Sequence, residues 1–261
     1  MLTYLDAHTH LGDNKIASNI NAVRQNYLTS GLKYVVDTGC GLESSTLCKI
    51  NAEKYNEVYF TAGIHPENAN EFMVDISKIK SLLEHPKCLA LGEVGLDYHY
   101  DGYDKTKQIE LFENQIYLAN QIGLPLVVHL RDACGDMLDV IKSNKNYLNN
   151  GFLMHCFSES YETSKILLDL GAYFSFGGVV TFKNSKRGEV VKKIPQDRLL
   201  FETDAPYLTP HPFRGQINEP KNVIYVYKFV SELLGVSESV LCEKVLSNFK
   251  NLFKKICSQT S

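Results

Sequence analysis

His8 and His10 stand two residues apart at the end of a short apolar run, Leu2–Ala7. On an extended strand both imidazoles then point to one side, where two of them can grip one cation. Glu93, His129 and His155 stand at the ends of three more such runs, and Glu202-Thr203-Asp204 closes another. Gly63-Ile64-His65-Pro66 adds a further imidazole, so five of the eight histidines lie at run ends. Histidine and carboxylate without thiolate suit Zn, Mn or a similar divalent ion, with Mg where carboxylate dominates. Six ligands, His8, His10, Glu93, His129, His155 and Asp204, are too many for one tetrahedral ion with an open position. They match two divalent ions roughly 3.5–4 Å apart that share a bridging carboxylate and clamp the attacking and leaving oxygens. Asp6 and Glu202 fall on the same inward parity below His10 and Asp204, and are expected to orient the ligating imidazoles or cations.

Each residue alone has a plainer reading. His-x-His recurs by chance, Glu93 could be a buried ion-pair partner, and Asp204 could cap a turn before Ala205-Pro206. His85 and His99 are expected to be structural. The combination is what points to metal, because burying so much charge at one face is costly without a cation.

The runs themselves are strand-length and rich in Val, Ile, Leu, Tyr and Phe: Leu2–Ala7, Lys33–Thr38, Val58–Ile64, Cys88–Gly92, Pro125–His129, Phe152–Cys156, Ala172–Phe176 and Leu199–Thr203. Such runs read as buried parallel strands. Helical stretches alternate with them. Lys105–Ile122 is the clearest, with Ile109, Phe112, Ile116 and Ala119 in one stripe and Gly123 and Pro125 as the stop. Asn19–Ser30, Leu42–Tyr55, Ile76–Glu84, Asp136–Lys145, Tyr161–Leu170 and Val223–Leu234 are further helices, and Ser237 caps a last one. The alternation predicts an α/β fold, a single-domain TIM (β/α)8 barrel over residues 1–261, with a doubly wound open sheet as competitor. The chemistry-bearing residues at strand ends favour the barrel, whose active site lies at the C-terminal ends of its strands.

Composition narrows the function class. The chain has 261 residues, 44% of them apolar and 22% charged, which excludes disorder for most of its length. A net charge of −3 excludes a generally basic nucleic-acid coat, though not a nucleic-acid enzyme with a local cationic patch. No apolar stretch approaches the ~20 residues of a membrane span, so no membrane partner is expected. The N-terminus has no basic segment followed by an apolar one, and the seven cysteines are odd in number and form no C-x-x-C. Free thiols in a reducing, cytoplasmic compartment are the expectation. No heptad or apolar stripe announces a dimer, so a monomer is expected.

The motifs resemble the signatures of the TatD family. They are Asp6-Ala7-His8-Thr9-His10-Leu11, Gly63-Ile64-His65-Pro66, Gly92-Glu93-Val94-Gly95-Leu96-Asp97-Tyr98, His155-Cys156-Phe157-Ser158, Glu202-Thr203-Asp204-Ala205-Pro206-Tyr207-Leu208 and Pro210-His211-Pro212-Phe213-Arg214-Gly215 followed by Asn218-Glu219-Pro220. They run in family order and, with the closing helices, cover essentially the whole chain. The resemblance implies a metal-dependent hydrolase of the amidohydrolase-like group, active as a deoxyribonuclease. It also implies that His8 and His10 are ligands, that Glu93 bridges, that His129 and His155 bind a second ion, and that His65 sits near the substrate phosphate. One motif departs: His129-Leu130-Arg131-Asp132 stands where the family commonly has His-Ser-Arg-Asp. By alternation Leu130 is expected to point away from the metals.

Phosphodiester hydrolysis by activated water follows from these residues, with Asp204 as general base and His65 and Glu93 completing the catalytic set. Arg131, Lys183 or Arg214 could neutralise a non-bridging phosphate oxygen. Lys183, Lys186 and Arg187 follow the seventh run, and the loop after strand seven is a common phosphate site in barrels. Tyr98, Phe182, Tyr207 and Phe213 could stack on bases or simply pack at the rim. Cys156 is expected to be a core residue by alternation, and no Gly-x-Ser-x-Gly elbow suggests a serine nucleophile. The role of Glu219 is left open between facing the substrate and capping a helix. A nuclease working on single-stranded ends is the leading reading. Hydrolysis of a small-molecule ester, amide or lactone is the alternative, and a non-catalytic metal or nucleic-acid binding barrel the remote one.

Overall fold

The computed structural model describes residues 2–259. Eight parallel strands, β1 (Tyr4–Thr9), β2 (Leu32–Thr38), β3 (Val58–Ala62), β4 (Cys88–Asp97), β5 (Leu126–Arg131), β6 (Phe152–Met154), β7 (Ala172–Phe176) and β8 (Leu199–Phe201), pair in sequence order. The connecting helices are α1 (Asn14–Ala17), α2 (Ile20–Thr29), α3 (Leu42–Lys54), α4 (Phe72–Leu83), α5 (Lys105–Ile122), α6 (Cys134–Ser143), α7 (Tyr161–Asp169), α8 (Arg187–Val191), α9 (Val223–Leu234) and α10 (Glu238–Leu252). The result is the expected (β/α)8 barrel rather than an open sheet. Strand residues are buried on both faces because helices cover the outside and the inside fills with side chains. Among the described residues no helix is long and apolar enough to cross a membrane.

Local chemistry explains the boundaries. The Asp104 and Ser237 side chains accept the N–H groups of Lys107 and Val240, satisfying first-turn donors of α5 and α10. Gly123 ends α5 at φ 78°, a left-handed turn that costs a glycine little. The expected helices agree within a few residues, the largest difference being α4, which begins at Phe72 rather than Ile76. The strands differ more tellingly. β4 continues five residues past Gly92, and β6 and β8 each stop two residues short of their expected ends.

Barrel closure joins β1 to the segment just beyond β8. The Asp6 carboxylate accepts the Thr203 hydroxyl and, at 2.8 Å, the Thr203 N–H. Asp204 N–H donates to the His8 carbonyl at 3.0 Å, and His10 N–H to that of Ala205 at 2.8 Å. Asp6 thus ties the two ends of the chain's sheet together instead of orienting an imidazole. Fully buried, it satisfies its lone pairs on backbone and hydroxyl donors, as any polar group kept from water must, and burial pushes its carboxyl well above the usual range.

Lys87, half-buried before β4, gathers the end of α3. Its Nζ donates to the carbonyls of Ala52, Tyr55, Asn56 and Val58 at 2.6–3.2 Å. The Ala52 carbonyl is one that a helix C-terminus leaves unpaired, the others lie on the turn into β3, and a cation there also meets the negative end of the helix dipole. Lys87→Met should lower unfolding free energy by about 2 kcal/mol. Urea denaturation measures it, and an unchanged midpoint would mean water replaces the ammonium at no cost.

Candidate metal centre

Two strands carry an extra residue just where they bear ligands. Asp6 pairs with Val35 and Thr9 with Asp37, so β1 advances three residues where β2 advances two. β4 does the same against β5, from Leu91 opposite Leu126 to Val94 opposite Val128. Such bulges re-aim side chains, and these fall on His8 and Glu93.

Around the first of two positions, His8 Nε2 lies 3.3 Å from His10 Nε2 and 3.3 Å from Glu93 Oε2. Asp204 Oδ1 lies 3.3 Å from His10 Nε2 and 3.8 Å from His8 Nε2. Around the second, the other Glu93 oxygen, Oε1, lies 2.7 Å from His155 Nε2 and 2.9 Å from His129 Nδ1, which are 3.2 Å apart. Ligand atoms on a tetrahedral ion with bonds of ~2.0–2.1 Å stand roughly 3.3–3.4 Å from one another, a spacing the first set matches, while the second is drawn tighter, at 2.7–3.2 Å. The two oxygens of Glu93 divide between the sets, as a bridging carboxylate does. His65 Nε2, 3.6 Å from Glu93 Oε1, borders the second set.

The far nitrogens of three imidazoles fix which nitrogen faces the centre. His10 Nδ1 lies 3.1 Å from the Thr38 carbonyl, which only accepts, so that nitrogen carries the proton. His129 Nε2 meets Asp97 Oδ2 at 2.8 Å, and His155 Nδ1 faces Glu202 Oε1 at 3.5 Å. Each contact turns the opposite lone pair inward, the arrangement that supports metal-ligating histidines. Glu202 is itself held by the Ser175 hydroxyl. The rings of His8 and His155 stack at 4.0 Å and 7°.

The electrostatics agree. Burial disfavours ionised Glu93, but His155, His8 and His129 outweigh that and hold it well below the usual carboxylate range. Burial likewise acts to raise Asp204, yet its bond from His10 keeps it low. Burial works against protonating His155, while Glu93 and Glu202 raise it well above the ordinary imidazole value. The carboxylates here call for positive charge, which a proton or a divalent ion can supply. His65 differs, because burial lowers it to about 3. The Glu67 N–H donates to its Nδ1 at 3.3 Å, which leaves a neutral ring with its proton on Nε2.

The Glu202 contact has a measurable consequence. Glu202→Gln should weaken binding of one ion by about 10- to 100-fold. Competition against a chelator reads it, and an unchanged affinity would show that Glu202 does not set the His155 ring.

His10, His65, Glu93, Asp97, His129, His155 and Asp204 line a cavity of about 760 Å³, with Arg131, Arg187, Tyr100 and Tyr207 also on its wall, while His8 and Glu202 are fully buried behind it. The predicted substrate residues are spread more widely. Arg131 lies over the Tyr100 ring, 5.2 Å from its centroid, within the cavity wall. Lys183 is exposed outside that wall, and the Arg214 guanidinium sits 4.1 Å from the Phe182 centroid. Tyr98 stacks on Tyr103 at 4.6 Å, away from the lining, because β4 runs on to Asp97 and turns its next side chain outward. Phe213 packs on Tyr225. Glu219 binds Asn26 Nδ2 at 2.9 Å and Lys221 Nζ at 3.1 Å, outside the cavity.

Alternation fails at two residues. Cys156 lies in the cavity wall rather than the core, since β6 has already ended and Cys156 adopts φ 45°. Burial, with Glu202 and Asp204, pushes its thiol well above the usual value, so it is a poor nucleophile. Leu130 also lines the cavity, because at the strand end its outward face is the cavity rim. Asp97, Tyr100 and Thr38 complete the site without having been singled out, and of the cations expected after the seventh run Arg187 joins them. Asp97 was accessible to pattern reading, being four residues and thus two strand repeats beyond Glu93.

A family model described as TatD related DNase matches residues 5–254. The chain is similar to an uncharacterized metal-dependent hydrolase, YabD, of Bacillus subtilis strain 168. Identity is 39% over 251 residues, 95% of this chain and 98% of that one. It is also similar to the uncharacterized metal-dependent hydrolase YcfH of Escherichia coli K12, at 34% over 253 residues and 95% of each chain. Among solved structures, the TatD homologue YjjV of E. coli K12 superposes with a TM-score of 0.90 at 27% identity, covering 96% of this chain and 98% of that one.

Proposed function

The chain belongs to the TatD family of metal-dependent hydrolases, and on that footing we propose that it is a deoxyribonuclease that shortens single-stranded DNA ends. The observation that carries this reading is a floor of two ligand sets sharing Glu93, under a mouth flanked by Tyr100 and Tyr207. A cavity of about 760 Å³ with the ligand sets at its floor suits an inserted strand end better than a passing duplex. Exposed tyrosine rings offer stacking for unpaired bases, which is tolerant of sequence.

Two divalent ions held by His8, His10, Glu93 and Asp204 and by Glu93, His129 and His155 would ionise water near neutral pH and polarise the phosphoryl oxygen. The chain's own groups do the rest. Asp204, ionised and facing the cavity with its side chain 14% exposed, accepts the proton of the attacking water. His65 presents a neutral N–H that can donate to an anionic phosphate oxygen. Arg131 stands at the mouth, braced on the Tyr100 ring and hydroxyl, where it can meet a backbone phosphate. Tyr207 donates its hydroxyl to Asp13 at 2.7 Å, which holds its ring at the rim.

The test is turnover of a 3′-labelled single-stranded oligonucleotide by chelator-stripped protein with Mg, Mn or Zn restored, beside panels of esters, amides and lactones. Stepwise, metal-dependent shortening supports the reading. Turnover confined to small esters, amides or lactones would replace it.

A further inference from the structure

Arg187 is the cavity's unexplained cation. It opens α8, whose Gly188 packs towards Leu233 and whose Val191 is fully buried, so the short helix is anchored beneath it. Its side chain joins the cavity wall, close enough to Cys156 to act on its thiol. Its Nε is buried without a hydrogen-bond partner among the described residues, and no ion pair among them engages the guanidinium. Leaving such a donor unpaired is costly, and a guanidinium presents Nε–H and Nη–H side by side as a fork. Arg131 differs, since its guanidinium is already braced on Tyr100.

We propose that Arg187 receives the phosphate next to the scissile one, making the site selective for substrates that carry two neighbouring phosphates. This rests on the phosphodiesterase reading above. The fork matches a pair of non-bridging phosphate oxygens bidentately, whereas a small neutral ester offers it nothing. The scissile phosphate itself belongs to the floor, where His65 and the shared Glu93 centre converge. Arg187 shares the cavity wall with Cys156, the residue after His155, and its charge acts on the Cys156 thiol, so the fork stands near that floor.

Metal-loaded wild type, Arg187→Met and Arg187→Lys would be assayed on a 5′-phosphorylated thymidine dinucleotide and on bis(p-nitrophenyl) phosphate, which has one phosphate only. The ratio of the two kcat/KM values should fall about 10- to 100-fold in Arg187→Met, chiefly through KM for the dinucleotide. Arg187→Lys, which keeps the charge and loses the fork, should fall between, and it preserves the test if the methionine variant does not fold. An unchanged ratio overturns the proposal, whether both activities persist or both fall together. If wild-type protein cleaves neither compound, the phosphodiesterase reading fails instead. Calorimetric binding of the intact dinucleotide then decides Arg187: about 10-fold weaker binding in Arg187→Met upholds it, and equal affinity overturns it.

Discussion

Glu93→Gln should remove hydrolysis almost entirely while leaving the fold in place. The substitution preserves shape but replaces a carboxylate oxygen with an amide NH2, which donates where His8 and His10 or His129 and His155 present lone pairs. One ligand set then loses its shared anion, and the charge that offsets four clustered imidazoles is gone. Several kcal/mol of charge stabilisation disappear, and at ~1.4 kcal/mol per decade that is a loss in kcat of about 10³-fold or more. Bound metal, measured by elemental analysis after gel filtration, should fall by at least one ion per chain relative to wild type. A variant that retained the full complement and worked within about tenfold of wild type would show that Glu93 does not bridge.

Gly95→Ala should be the most damaging small substitution near the site, although Gly95 binds nothing. It lies two residues beyond Glu93 at φ 138°, a region essentially closed to other residues. A Cβ there would stand 2.0 Å from the carbonyl oxygen of His129, its partner in the β4–β5 ladder. Neighbouring backbone cannot yield as a flexible side chain could, so β4 and β5 must separate. Backbone strain and overpacking together suggest a loss of about 4 kcal/mol in unfolding free energy. The displaced strand is the one that carries His129, so metal affinity should fall too. Denaturant unfolding and chelator competition measure the two effects. Wild-type values in both would mean the barrel relaxes elsewhere.

Much of the molecule was legible from residue order. Strand-length apolar runs alternating with amphipathic stretches specify the barrel, because each element must bury a face and eight such units close a ring. The six candidate ligands, which the structure brings together, were legible because residues that bind cations recur at the ends of those runs, where nothing apolar explains them. Whatever depended on strict alternation read less well. β1 and β4 each insert a residue, β6 stops early so that Cys156 leaves the strand pattern, and Leu130 reaches the cavity from within β5 at its rim. Asp6 looked like a support for a ligand because its parity is inward, yet its partners come from across the barrel seam.

The sequence by itself therefore determined the architecture and the chemical type of the centre, since both follow from periodicity and residue identity, which are local. Tertiary structure alone decided three things. Each oxygen of Glu93 faces a different ligand set, Asp97 and Glu202 choose the nitrogen that His129 and His155 turn inward, and Arg187 rather than Lys183 lines the cavity. These depend on ångström-scale distances between groups as far apart in the chain as His8 and Asp204, set by strand register and loop path around the barrel. No run of neighbouring residues encodes such distances separately from the packing of the whole.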